Sequence, residues 1–107
     1  MSLLEKYVEY AREGNAEKIA SIFSEDADFY DEGPTALGHK TVIIKGRETI
    51  RGIFEKIFRA GGLDVSNVSI NGNAMRYDVT IGGTKIRALG VMEEENGLIS
   101  SYRITVP

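Results

Sequence analysis

The sequence predicts an α+β domain in which helices cover one face of a curved, mainly antiparallel sheet. Three amphipathic helical stripes fall before Gly61, and none follows it. From Leu63 onward, apolar residues alternate with polar ones, and the pairs Gly82-Gly83 and Asn96-Gly97 punctuate the alternation as hairpin turns. Helices gathered first and antiparallel strands gathered last are the pattern of segregated α+β packing.

The first helix spans Ser2 to Glu13. Leu3, Leu4, Tyr7, Val8 and Ala11 share one face, Glu5, Lys6, Glu9 and Arg12 face water, Ser2 caps the start and Gly14 the end. Asn15 caps a second helix carrying Ala16, Ile19, Ala20, Ile22 and Phe23, followed by a short acidic turn. A strand runs from Ala27 to Asp31. A loop through Gly33, Pro34, Gly38 and His39 leads to a short apolar run, Thr41 to Ile44. The third helix starts near Gly46 or Arg47 and reaches about Ala60, with Ile50, Ile53, Phe54, Ile57 and Phe58 on its stripe. Gly52 inside it predicts a neighbour packed close to the backbone. Arg47 and Arg51 are expected to pair with Glu48 and Glu55.

Four strands complete the chain. Val65, Val68 and Ile70 mark the first, with Asn71-Gly72-Asn73 as its turn, and Met75, Tyr77, Val79 and Ile81 form the apolar face of the next. The strand from Thr84 to Met92 turns Ile86, Ala88, Gly90 and Met92 to one side. The last, Leu98 to Val106, does the same with Ser100, Tyr102, Ile104 and Val106. No repeat or linker divides the chain, so residues 1–107 are expected to form one domain.

Composition removes several function classes. With 13 Lys+Arg spread along the chain against 16 Asp+Glu, there is no concentrated basic face for nucleic acid. The chain has no cysteine, so disulfides, thiolate catalysis and cysteine-ligated metals are out, and a single histidine leaves no metal-ligand spacing. Glu93-Glu94-Glu95 reads as a solvated turn. No apolar run approaches the ~20 residues of a membrane span and no signal-peptide pattern opens the chain, so no membrane partner and a cytoplasmic location are expected. No nucleotide motif or Gly-rich phosphate loop implies an organic cofactor.

The order of elements, with EKYVEYAREGNAEKIASIFSEDADFYDEGP early and IKGRETIRGIFEKIF after it, resembles the small cone-shaped α+β barrels named after nuclear transport factor 2. Within that superfamily the sequence is most similar to the ketosteroid isomerases and the SnoaL-like polyketide cyclases. The resemblance implies a cystatin-like roll: a cone-shaped barrel of curved sheet wrapped around three helices from the N-terminal half. It also implies an apolar interior that binds a small, carbonyl-containing molecule.

Carried over by residue, Lys6-Tyr7-Val8 looks like the isomerases' hydrogen-bond-donating tyrosine, and Tyr30-Asp31 looks like the site of their catalytic base. Phe23, Phe29, Phe54, Phe58, Met75, Met92 and Ile104 are the expected walls, with Tyr77, Tyr102 and His39 as further contacts. Each has a plainer reading. Asp31 also suits the start of a turn with Glu32 and Gly33, Tyr7, Tyr77 and Tyr102 also suit a core, and His39 also suits a solvated loop. One position departs: where the isomerases keep a second, protonated acid, this chain has Met92, or Val91 after a one-residue slip. One preorganised donor at an oxyanion is typically worth ~3–4 kcal/mol, so this departure points to a different substrate, with other groups stabilising the charge.

The expected chemistry is proton abstraction beside a carbonyl by Asp31, with Tyr7 hydrogen-bonding the enolate oxygen. A non-catalytic carrier of apolar ligands and a protein-interaction subunit are the alternatives on the same cone. A sheet face bearing Arg87 and Arg103 suits a moderately polar interface, and the resemblance implies a homodimer paired through it.

Overall fold

The computed structural model describes residues 1–107. Helix α1 (Leu3–Glu13) opens with a reciprocal capping box, in which Glu5 N donates to Ser2 Oγ at 3.2 Å and Ser2 N to Glu5 Oε1 at 3.0 Å. Gly14, at φ 69°, ends α1, and Asn15 Oδ1 caps α2 (Ala16–Ser21) by accepting from Lys18 N. Strand β1 (Phe23–Asp31), a 3₁₀-helix (Gly33–Leu37), β2 (Val42–Lys45) and α3 (Arg47–Arg59) follow. A meander of β3 (Asp64–Asn71), β4 (Ala74–Ile81), β5 (Thr84–Glu95) and β6 (Leu98–Thr105) completes the fold.

The six strands form one curved, mixed sheet in the order β2-β1-β6-β5-β4-β3. All neighbours run antiparallel except β1 and β6, which are parallel. The sheet is not closed, so the expected barrel is an open roll with β2 and β3 as its edges. Its concave side faces the helices, with α3 against β1 and α1 against β3. Between them lies a core whose centre is aromatic. The rings of Tyr7, Phe23, Phe29, Phe54 and Tyr102 meet edge-on or tilted, the closest pair being Tyr7 and Tyr102 with centroids 5.0 Å apart. Such pairs contribute ~0.5–1.5 kcal/mol each beyond the area they bury. No helix is long and apolar enough to cross a membrane.

The structure corrects the expected elements in several places. Helix α2 stops at Ser21 and Phe23 already belongs to β1, where it pairs with Ile99, so the acidic stretch Ser24–Asp26 lies in a strand. A change of register between Phe23 and Asp28 absorbs its irregular alternation. The loop after Asp31 coils into the 3₁₀-helix. Strand β3 bulges, since Ser66 pairs with Asp78 but Ser69 with Arg76. Asn67 takes φ 52° there, and its Nδ2 donates to Asp78 Oδ2 at 2.7 Å, giving that buried carboxylate a partner. A third irregularity, opposite Glu93 and Glu94, brings Ile99 rather than Ser100 to the core. Gly52 has no neighbour within 4 Å of a Cβ position, so close packing does not explain it. Arg51 bonds Glu48 and Glu55 as expected, but Arg47 Nε donates instead to the carbonyl of Phe23 at 2.9 Å, tying α3 to β1.

Candidate functional site

Between α1, α3 and the concave side of the sheet is a cavity of about 230 Å³. Helix α1 contributes Tyr7 and Ala11, because positions four apart share a helix face. Ile53, Phe54 and Ile57 come from α3. Tyr77, Val79 and Ile81 reach it from β4 and Ile86 and Ala88 from β5, each set two residues apart on one side of its strand. Phe29 and Asp31 enter from β1 by the same rule. Gly33, Pro34 and Leu37 of the 3₁₀-helix and the exposed His39 bring the cavity to the surface.

Asp31 starts the expected turn and also lies at the cavity. Its Oδ1 accepts from Gly33 N at 2.7 Å, the geometry of an Asx turn, and the carboxyl lines the cavity. A Cβ at Gly33 would stand 2.9 Å from Oδ1, so a side chain there would displace the carboxylate. Burial pushes the carboxyl above its ordinary value, opposed by the Gly33 hydrogen bond, while the charge of Glu32 adds to the rise. Glu32 itself is held outside, accepting from Tyr30 Oη at 2.7 Å and from Val106 N at 3.2 Å.

Burial also raises the Tyr7 phenol well above its usual range, with Tyr77 and the negative charge of Asp31 adding to the shift. Tyr77 is raised by burial first and by Asp31 second. The Tyr102 phenol, fully buried, is raised by burial and then by its two tyrosine neighbours. Tyr77 and Tyr102 lie close enough to influence each other's ionisation, yet their hydroxyls do not meet in hydrogen-bond geometry, and Tyr102 Oη has no partner. Asp31, Tyr7 and Tyr77 thus line one cavity that is otherwise almost wholly apolar. No three acidic, histidine or cysteine side chains stand close enough to hold a metal ion.

The structure brings together Asp31, Tyr7, Tyr77 and His39 with the walls Phe29, Phe54 and Ile104. Phe23, Tyr102, Met75 and Met92 sit elsewhere, closed into the core cluster with at most 6% exposure. Phe23 and Tyr102 fill the space behind Tyr7, and Met92 stands opposite Tyr102 across β5 and β6. Phe58 lies one helical turn beyond Phe54 and lines a separate surface groove with Glu13 and Asn15. Sequence reasoning did not single out Leu37, Val42, Leu63 and Val65 as lining residues. Same-face spacing from Tyr77 along β4 pointed to Val79 and Ile81, whereas nothing local marked Leu37.

The sequence profile of the SnoaL-like domain matches residues 4–102. No curated protein matches the chain. Among solved structures, a candidate polyketide cyclase from Pseudomonas putida is 15% identical, with a TM-score of 0.75 over 100% of this chain and 92% of its own. A candidate ketosteroid isomerase from Kribbella flavida is 21% identical, with a TM-score of 0.71 over 98% and 75%. A nuclear transport factor 2-like protein of unknown function from Cytophaga hutchinsonii is 20% identical, with a TM-score of 0.73 over 98% and 87%. At these identities the likeness establishes the fold.

Proposed function

Because this chain belongs to the SnoaL-like domain family, we propose that it is a small-molecule enzyme of the ketosteroid isomerase type, transferring a proton beside a carbonyl group. The observation that carries the reading is that Asp31 and Tyr7, from β1 and α1, line one apolar cavity. Asp31 Oδ2 takes the proton from the carbon next to the carbonyl, and the C–H electron pair moves to form the enolate. The Tyr7 O–H donates to the enolate oxygen as its charge develops. The protonated Asp31 then returns the proton, to the same carbon in exchange or to a conjugated one in isomerisation. Its burial suits this role, since a carboxyl raised above its ordinary value is a stronger base.

The hydrogen bond from Gly33 to Asp31 supports a second reading, a carrier in which Asp31 is structural. Exchange of α-hydrogens for deuterium in a panel of enolisable ketones separates the two. The enzyme reading expects exchange above the buffer rate, lost in Asp31→Asn and reduced in Tyr7→Phe. Equal exchange by the native protein and Asp31→Asn rejects Asp31 as the base, and retained binding would then make the protein a carrier.

A homodimer through the outer sheet face is part of the same proposal. The exposed Ile43 and Val91 lie on that face in line with Tyr30 and Arg103, whose guanidinium stacks 3.9 Å from the Tyr30 ring centroid. Sedimentation of the native protein and of Ile43→Lys tests it.

A further inference from the structure

Resting on the proton-transfer reading, we propose that the cavity takes a compact neutral ketone of one or two rings, with its oxygen held jointly by the hydroxyls of Tyr7 and Tyr77. Size sets the first limit. A cavity of about 150 Å³ holds benzene, and on that scale 230 Å³ accommodates roughly ten non-hydrogen atoms. A four-ring skeleton has about twice as many. Aromatic walls close the inner end, where Phe29 and Phe54 stand edge-on with centroids 5.9 Å apart and Tyr7 packs on Tyr102. A larger molecule would have to protrude past His39.

Charge sets the second limit. No lysine or arginine lines the cavity, and its one carboxyl is Asp31. A phosphate or carboxylate ligand would enter beside a like charge with no lysine or arginine to pair with it and only His39 at the mouth, at a high desolvation cost. A neutral ligand is the match.

Hydrogen bonding sets the third. Tyr7 and Tyr77 reach the cavity from α1 and β4, both under the influence of Asp31. Two tyrosines lining one cavity with a carboxylate fit one oxygen that gains charge as the carboxylate removes a proton. Met92 plays no part, being closed into the core, so the second donor comes from β4 and not from β5.

Calorimetric titration of the intact protein with β-tetralone, tetralin, β-aminotetralin and androstenedione tests the assignment. β-Tetralone is expected to bind and androstenedione to bind at least tenfold more weakly. In Tyr77→Phe, β-tetralone should weaken about fivefold, the worth of one hydrogen bond, while tetralin, which has no oxygen, binds unchanged and reports an intact cavity. The infrared carbonyl stretch of bound β-tetralone is a second readout. In Tyr7→Phe it should stay below its value in hexane, held there by Tyr77, and a return to the hexane value overturns the two-donor site. Equal affinity for androstenedione overturns the size limit, and tighter binding of β-aminotetralin than of β-tetralone overturns the neutral-ketone assignment. If none of the four binds, the proposal falls. These are binding readouts, so they stand apart from the α-hydrogen exchange by which the role of Asp31 is judged.

Discussion

The ring of Tyr102 lies against the backbone of Gly90 so closely that a Cβ at Gly90 would come within 2.6 Å of Cζ. Gly90 thus leaves room for a buried tyrosine that meets the Tyr7 ring edge-on. Gly90→Ala should destabilise the protein by about 1–3 kcal/mol through overpacking, seen as a lower urea midpoint with an unchanged slope. Tyr102→Phe removes a buried hydroxyl with no partner, so it should leave the midpoint unchanged or raise it. A lower midpoint for Tyr102→Phe would mean that the hydroxyl has an acceptor in solution.

Asp31 carries a stability cost that depends on pH. Its folded-state pKa is raised by burial, so the ionised form disfavours the folded state above that pKa. The cost disappears as pH falls through the raised value towards that of the unfolded chain. Asp31→Asn keeps an oxygen to accept from Gly33 and removes the charge. It is expected to melt higher than the native protein at neutral pH, with the gain shrinking in acid and levelling off below the ordinary carboxyl range. Thermal melts of both proteins across that range check the sign, and a variant that melts lower at neutral pH contradicts it.

The same groups shape the pH dependence of turnover. Exchange of α-hydrogens should rise with pH as Asp31 ionises, with a midpoint above that of an ordinary aspartate. Tyr7 and Tyr77 are both held above the usual phenol range, so the donors keep their protons and no alkaline fall is expected up to about pH 10. A decline between neutrality and that pH would assign a lower pKa to one of them.

Gly52 sits within α3 with open space where a side chain would begin and without a positive φ. Gly52→Ala should therefore stabilise the fold by about 1 kcal/mol from helix propensity alone. Chemical denaturation measures it, and a loss of stability would reveal a partner packed on that face.

What the sequence made legible was whatever is periodic and local. The stripes of α1 and α3, the cap at Ser2 and the strict alternation of β4 follow from neighbours within a turn or two. Phe23 was misread because Ile19, Ile22 and Phe23 also fit a helical stripe. What makes Phe23 a strand residue is its pairing with Ile99 and the hydrogen bond from Ile99 N to Ile22 O, far along the chain. The bulges at Asn67 and Ser100 were hidden for the same reason, since register depends on the partner strand. In the site, Asp31 and Tyr7 came from family resemblance, and Tyr77 from its place on an apolar strand face. Leu37 depends on the path of the 3₁₀-helix, which no pattern around it announces.

The insertion of β6 between β1 and β5 fixes when the molecule can become functional. β1 and β2 join the rest of the sheet only through β6, and Glu32 N reaches the carbonyl of Ile104 across that seam. As the chain leaves the ribosome, Asp31 emerges early but cannot be held opposite Tyr77 until residues 98–105 are free to pair on both sides. A closure joining such distant segments is a slow, late event. The partly made chain exposes a long strand edge in the meantime, and assembly of the cavity coincides with completion of the sheet.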